Sequence, residues 1–320
     1  MSTALTVSQR SNLPAALAPD LAAAVGYAKA EKAPATRKAY GTDFRLFAAW
    51  CDAKGAASLP ALPETVAAYL AAEAGAGVKP STLGRRVAAI RYSHKLASLP
   101  TPTDAEGVKA TVRGIRRTFG GAKVKKTPAV AAKMKGMVAT APDGLAGLRD
   151  RALLLLGFAG AFRRSELVAL DVADIEQTDE GLRVTIRRAK TDQEGLGRTL
   201  AIARGDAACP VKALAAWLDA AGIESGPLFR PIDKASTVRD RRLTDRSVAN
   251  IVKAYAGRAG FDASAFSGHS LRSGFLTSAA GNGASIFKMM DVSGHRSVDT
   301  LRGYVRDAEL FKDHAGAGLL

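Results

Sequence analysis

Hydrophobic side chains recur at helical spacing along most of the chain and alternate in only one stretch. Tyr40, Phe44, Phe47 and Cys51 repeat every third or fourth residue, which predicts a helix over Thr36–Lys54, capped by Thr36 and stopped by Gly55. Val66, Tyr69 and Leu70 mark a second over Pro63–Ala74, with proline in its first turn. Leu83, Val87, Ile90 and His94 share one face of a third, capped by Ser81. Val108, Val112, Ile115 and Phe119 line a fourth, which Thr103 and Glu106 open as a capping box. Further on, Val130–Thr140 and Leu145–Ala159 are helical and apolar enough for core. Leu182, Val184 and Ile186 then alternate with Arg183, Thr185 and Arg187. That is a strand, paired with Thr199–Ile202 through the turn chemistry of KTDQEGLG. Helical spacing returns over Val211–Ala221, Thr244–Ala259, His269–Gly281 and Ile286–Val292. A final helix begins after Ser297, a good N-cap, and carries Tyr304 about two turns on.

This order implies a mainly α protein with a small antiparallel β-sheet, in two domains. Residues 1–34, Ala-rich and interrupted by Pro14, Pro19 and Pro34, form a mobile lead-in holding at most a short helix. Residues 35–119 form a helical domain, residues 120–128 (GGAKVKKTP) a linker, and residues 129–320 a second domain.

Charge sharpens the picture. The 320 residues carry a net +16 and are 47% hydrophobic, so the chain folds and favours a polyanion. Residues 1–127 hold 19 Lys+Arg against 8 Asp+Glu, while residues 128–320 hold 27 against 22. Basic side chains lie away from the apolar stripes of the third and fourth helices, where a solvated surface ordinarily mixes both signs. Nucleic acid is the partner this predicts. Cys51 and Cys209 suggest no disulfide framework. Four histidines with no HExxH and no CxxC give no support for a metal. The apolar run Ala152–Phe162 is too short to span a bilayer, and no signal peptide stands at the N-terminus. The expectation is a soluble cytoplasmic protein with no cofactor and no membrane partner.

Four places in the second half carry chemistry: Arg163 with Glu166 in FRRSEL, Lys190 in AKTDQ, His269 and Arg272 in GHSLR, and His295 with Tyr304 in SGHRSVDTLRGY. Metal-free phosphodiester cleavage needs a nucleophile, a proton donor for the leaving oxygen, and fixed positive charge around phosphorus. Arginine grips two non-bridging oxygens and never loses its proton. A lysine among cations is a credible acid, and a histidine can donate to phosphate or shuttle a proton. Each residue also has a plain structural reading: an i, i+3 surface ion pair for Arg163 and Glu166, a turn lysine, a satisfied core histidine, a rim tyrosine. Together and in this order they outweigh it.

At these positions the chain resembles the tyrosine recombinase (phage integrase) family, whose pattern runs R-x-S-E-L, a hairpin lysine, H-x-L-R, G-H-x-S-x-x-T and a tyrosine. The stretches SNLPAAL and TRKAY…FAAWC extend the likeness to most of the chain, from about Ser11 on. Some members have a tryptophan where this chain has His295; either donates an N–H.

The resemblance implies a two-domain DNA clamp, with a core-binding domain first and a catalytic domain second. It makes Tyr304 the nucleophile of a 3′-phosphotyrosyl intermediate. Arg163, Arg272 and His295 hold the phosphate, Lys190 protonates the 5′-oxygen, His269 assists proton transfer, and Glu166 orients a neighbour. No ATP or metal takes part. The partners implied are double-stranded DNA with paired inverted half-sites and a homo-tetramer, one dimer per site, in which residues 308–320 pass to a neighbouring protomer. For DNA contact the candidates are Arg45, Arg85, Arg86, Arg91, Lys95, Lys109, Arg116, Arg117, Lys125, Lys126, Arg241, Arg242 and Arg246, with Arg246 the best placed for a base. The short stretch before Thr36 suggests a recombinase working without accessory factors. A type IB topoisomerase and a catalytically silent DNA-binding protein are the alternatives.

Overall fold

The computed structural model describes residues 14–121, 126–187 and 197–308. Lys125, Lys190, the hairpin tip and the exchange segment beyond residue 308 lie outside the described residues. The chain divides into two compact units, Met1–Lys123 and Val124–Leu320.

In the first unit α1 (Ala18–Ala30) is followed by α2 (Pro34–Ala53), α3 (Pro63–Gly75), α4 (Pro80–Leu96) and α5 (Glu106–Phe119). Phe44, Phe47, Cys51, Val66, Tyr69, Leu70, Leu83, Ile90, Val108 and Ile115 interlock as its core. Phe47 and Tyr69 meet with ring centroids 5.1 Å apart. His94 is buried and satisfied, accepting from the Ala61 amide at 2.9 Å.

Three expected caps are corrected. α2 and α4 begin at Pro34 and Pro80, before Thr36 and Ser81, because proline's fixed φ and missing N–H suit the first turn. Thr103 is buried, and its hydroxyl accepts from Arg91 Nε at 3.0 Å. It therefore caps nothing, and α5 starts at Glu106 after Ala105. The prolines of the lead-in delimit a helix instead of breaking one: Pro19 lies in the first turn of α1, and Pro34 opens α2.

The second unit contains α6 (Ala131–Ala139), α7 (Leu145–Ala159), α8 (Arg164–Ala169), strands β1 (Ile175–Gln177), β2 (Gly181–Ile186) and β3 (Arg198–Ala203), then α9 (Pro210–Ala221), α10 (Asp245–Arg258), α11 (His269–Gly281), α12 (Ile286–Ser293) and α13 (Val298–Ala308). The sheet is antiparallel in the order β1-β2-β3, with Leu182 opposite Ile202 and Val184 opposite Leu200. β1 was not foreseen; three residues are too few to show a period. α7 runs through the centre of the core, with Ala152 to Leu156 all buried. Beside it Trp217 of α9 is fully buried and donates Nε1–H to Leu228 O at 2.9 Å. Two residues of the expected linker, residues 120–128, are bonded to the second unit. Lys126 already donates to Ser264 O at 2.7 Å and Thr127 N–H to Ala265 O at 2.9 Å, both within the second unit.

Arg85 and Arg86 have tertiary carboxylate partners. Arg85 is bidentate on Asp43, 2.6 and 3.0 Å away, and Asp43 is only 2% exposed. Arg86 has a side chain just 11% exposed, bonded to Glu73 and to the Tyr69 hydroxyl. This corrects the outward placement of Arg86: it faces the interior of its unit. Removing the guanidinium of Arg85 strands a buried carboxylate. Arg85→Ala is therefore expected to cost the first unit about 2 kcal/mol in chemical denaturation, and Asp43→Asn in the same background should recover much of it. A neutral Arg85→Ala would show that the pair is not structural.

Candidate active site

The site forms where three turns of the second unit converge. Ala161–Phe162 turns out of α7 and sets Arg163 just ahead of α8. One turn on, Glu166 accepts the Arg163 backbone N–H at 3.0 Å and also receives its guanidinium. The carboxylate is 2% exposed and the Arg163 side chain 21%, so a buried anion holds a half-buried cation with its outer side open.

Helix α11 supplies the second group. Arg272 is only 1% exposed, with Nη1 donating to Ala161 O at 2.8 Å. Burial, with Arg163 beside it, pushes the Arg272 guanidinium down to about 10, and Glu166 opposes that shift. His269 opens the same helix, with Nε2 3.3 Å from Tyr304 Oη. Desolvation, then Arg272 and Arg163, lowers its pKa, which favours the neutral ring. Before it, the Arg164 side chain crosses Gly268, where a Cβ would lie 2.0 Å from Arg164 Cδ.

The third turn ends α12. Gly294, at φ +64° in the left-handed region, caps that helix and throws His295 back toward α11. The His295 ring sits in a chain of hydrogen bonds. Ser293 Oγ donates to Met289 O at 2.6 Å, so it must accept from His295 Nδ1–H at 2.7 Å. That leaves the lone pair on Nε2, and Arg272 Nη2 lies 3.2 Å from both ring nitrogens. Burial, then Arg272 and Arg163, pushes the imidazole down to about 4. Beyond it α13 packs Leu301 against Leu276, Ala280 and Met289, and Tyr304 stands half-buried at the edge of that cluster. Arg163, Glu166, His269, Arg272, His295 and Tyr304 thus share one place; Lys190 lies outside the described residues.

One member escaped the sequence reading. Arg198 of β3 lies on the strand's inner face with Leu200 and Ile202, close enough to Arg163 and Glu166 for their charges to bear on it. A charged residue in register with the apolar side of a strand was the available signal.

The basic candidates fall into two groups. Arg45, Lys95, Lys109, Arg116, Arg117, Lys126, Arg241 and Arg246 are exposed, Arg246 in the first turn of α10. Arg91 is paired with Asp104. Arg242 bonds Val168 O at 2.8 Å and Leu170 O at 3.0 Å, and also Asp171, which gives it a local structural function. Among the described residues no group of three or more His, Cys, Asp or Glu could hold a metal, and no helix is long and apolar enough to cross a membrane.

Residues 131–310 match the phage integrase family. The chain belongs to the phage integrase family. It is 40% identical over 293 residues to the integrase/recombinase XerD homolog of Selenomonas ruminantium, covering 89% of this chain and 85% of the relative. It is 26% identical over 285 residues to the Cre recombinase of Escherichia phage P1, covering 83% and 82%. This integrase-family chain is thus one of the tyrosine recombinases, enzymes that cut and rejoin DNA. Its fold is similar to that of XerH bound to a palindromic difH substrate, with TM-score 0.59, 16% identity, and 81% of this chain and 72% of that one covered. A lambda integrase dimer bound to a core site gives TM-score 0.55 at 17% identity, over 77% and 65%.

The depressed His295 pKa has a thermodynamic consequence. Between pH 6.5 and about 4 the unfolded ring takes up a proton that the folded ring refuses. Its contribution to stability is therefore complete above that window and lost as pH falls through it. His295→Gln should lose stability less steeply than the parent across the same window in denaturation at stepped pH. Equal slopes would clear His295 of the effect.

Proposed function

We propose that this chain is a site-specific DNA recombinase that cuts and rejoins strands through a 3′-phosphotyrosyl intermediate, and that its two units clamp the duplex. The observation that carries the reading is the 3.3 Å approach of His269 Nε2 to Tyr304 Oη beside Arg163, Arg272 and His295. Tyr304 Oη attacks the scissile phosphorus as its proton passes to His269, whose lowered pKa leaves it free to accept. The P–O5′ bond breaks, and the 5′-oxygen takes a proton from Lys190. Arg163 and Arg272 neutralise charge on the non-bridging oxygens; Glu166 holds Arg163 in place.

His295 has its lone pair on Nε2 while the site is a cluster of cations. A phosphate brings negative charge that raises the ring's pKa, and protonation then supplies the Nε2–H that donates to a phosphate oxygen. Attack by the 5′-hydroxyl of a second duplex reverses the first step, so the bond energy is retained and neither ATP nor metal is consumed. Arg246 is proposed as a base contact and Lys95, Lys109, Arg116 and Arg117 as phosphate contacts. Four protomers would act on two sites of paired inverted half-sites, each passing residues 308–320 to a neighbour. No accessory protein is invoked, since the basic unit and the chemical unit share one chain. A cytoplasmic, nucleoid-associated location follows from that substrate.

Covalent adducts trapped on genomic DNA in SDS and mapped by sequencing test the reading and locate the site. The parent should give discrete adducts and Tyr304→Phe none, with DNA binding retained. Adducts from Tyr304→Phe would refute the assignment, and relaxation of supercoils without a preferred site would favour a topoisomerase. Lys190→Ala should lose at least about 100-fold in cleavage of ordinary DNA and regain it when the leaving 5′-oxygen is replaced by sulfur. Absence of that rescue would remove Lys190 from the acid role.

A further inference from the structure

Among the described residues, Arg198 is the one guanidinium in the site to which the proposed reaction gives no task. Its Nη1 donates to Asp291 O at 3.0 Å and Val292 O at 2.8 Å, carbonyls at the C-terminal end of α12 where a cation is favoured. Its guanidinium also lies against the next turn: a Cβ at Gly294 would fall 2.8 Å from Arg198 Nε and 3.0 Å from Cζ. Yet Nε and Nη2 are buried with no hydrogen-bond partner. Burial lowers the pKa of this group first and Arg163 lowers it further, with Glu166 opposing. An apolar side chain would fill the same space without those costs, and under-satisfied buried groups of this kind call for a functional explanation.

We propose that Arg198 is a positioning residue for the reaction above, tying β3 to the Ser293–Gly294–His295 turn and so setting where the His295 ring stands relative to Arg272. The geometry gives it two handles on that turn. The carbonyl pair fixes the end of α12, and the planar fork beside Gly294 leaves room only for a residue without Cβ, which holds the left-handed turn in register. This inference rests on the phosphotyrosyl reading, which tests on the parent decide separately.

The probe is a nicked duplex carrying the cleavage site recovered by adduct mapping, with single-turnover adduct formation and DNA affinity measured side by side. Parent protein forming no adduct on it counts against the function itself, not against Arg198. Given parent activity, Arg198→Gln is expected to slow adduct formation at least about 10-fold while DNA affinity stays within about 3-fold, because a turn displaced by a fraction of an ångström affects the transition state more than the encounter. Arg198→Lys, which keeps the charge and a donor for the carbonyls, should recover part of the loss. The decisive arm is non-additivity: in a His295→Gln background, Arg198→Gln should slow the reaction by less than about 2-fold further, since both changes remove one element. A parent-like rate for Arg198→Gln, a loss of DNA affinity matching the loss of rate, or losses that multiply in the double variant would each overturn the assignment. Should Arg198→Gln lack a cooperative melting transition, the same cycle is run with Arg198→Lys, and the same outcomes decide.

Discussion

The arrangement depends on holding three guanidiniums, Arg163, Arg198 and Arg272, around one buried carboxylate. Like charges brought together repel in a partly desolvated setting, and burial pushes both Arg272 and Arg198 toward neutrality. Each cation is kept in place by an acceptor of its own: Glu166 for Arg163, the Ala161 carbonyl for Arg272, and the Asp291 and Val292 carbonyls for Arg198. Those acceptors sit at the exit of α7, in α8 and at the end of α12, so the apolar packing of these helices opposes the repulsion. The core around α7 therefore does more than stabilise a fold; it is what makes a concentrated positive field possible.

How much of this could be read beforehand differs by kind of signal. α7 and α11 match their expected spans because long apolar runs and a sharp glycine or polar boundary leave one period to choose. The helix starts were misplaced at Thr36, Ser81 and Thr103 because proline took the first turn in two cases and a tertiary arginine took the hydroxyl in the third. The pairing of Arg85 with Asp43 and of Arg86 with Glu73 spans separations of 42 and 13 residues, and no local pattern reports contacts at that distance. The chemical motifs of the site were legible because each is short and local in the chain. Arg198 was not, since it stands alone at a strand end and acquires meaning only when α12 folds over it.

The first unit shows why net charge is a blunt guide. Its surplus of Lys and Arg suggested basic faces throughout α4 and α5. Several of those arginines answer carboxylates of the same unit: Arg85 to Asp43, Arg86 to Glu73, Arg91 to Asp104, Arg113 to Glu106. The exposed Lys95, Lys109, Arg116 and Arg117 are a narrower source of field than the composition implied. For a polyanion that suits attraction by phosphate with little sequence preference.

The same electrostatics bear on how binding and chemistry connect in the proposed reaction. With cations on every side, His295 is neutral and its donor is committed to Ser293. A phosphate entering between Arg163 and Arg272 supplies the negative charge that those neighbours lack, and its first effect is to make the imidazolium affordable. The proton that completes the phosphate's hydrogen bonding is thus recruited by the phosphate itself. Recognition of the scissile group and activation of the group that stabilises it become one event, and a duplex that seats its phosphate badly fails both together. A site built on a permanently charged residue at position 295 would hold any nearby phosphate equally well and would lack this discrimination.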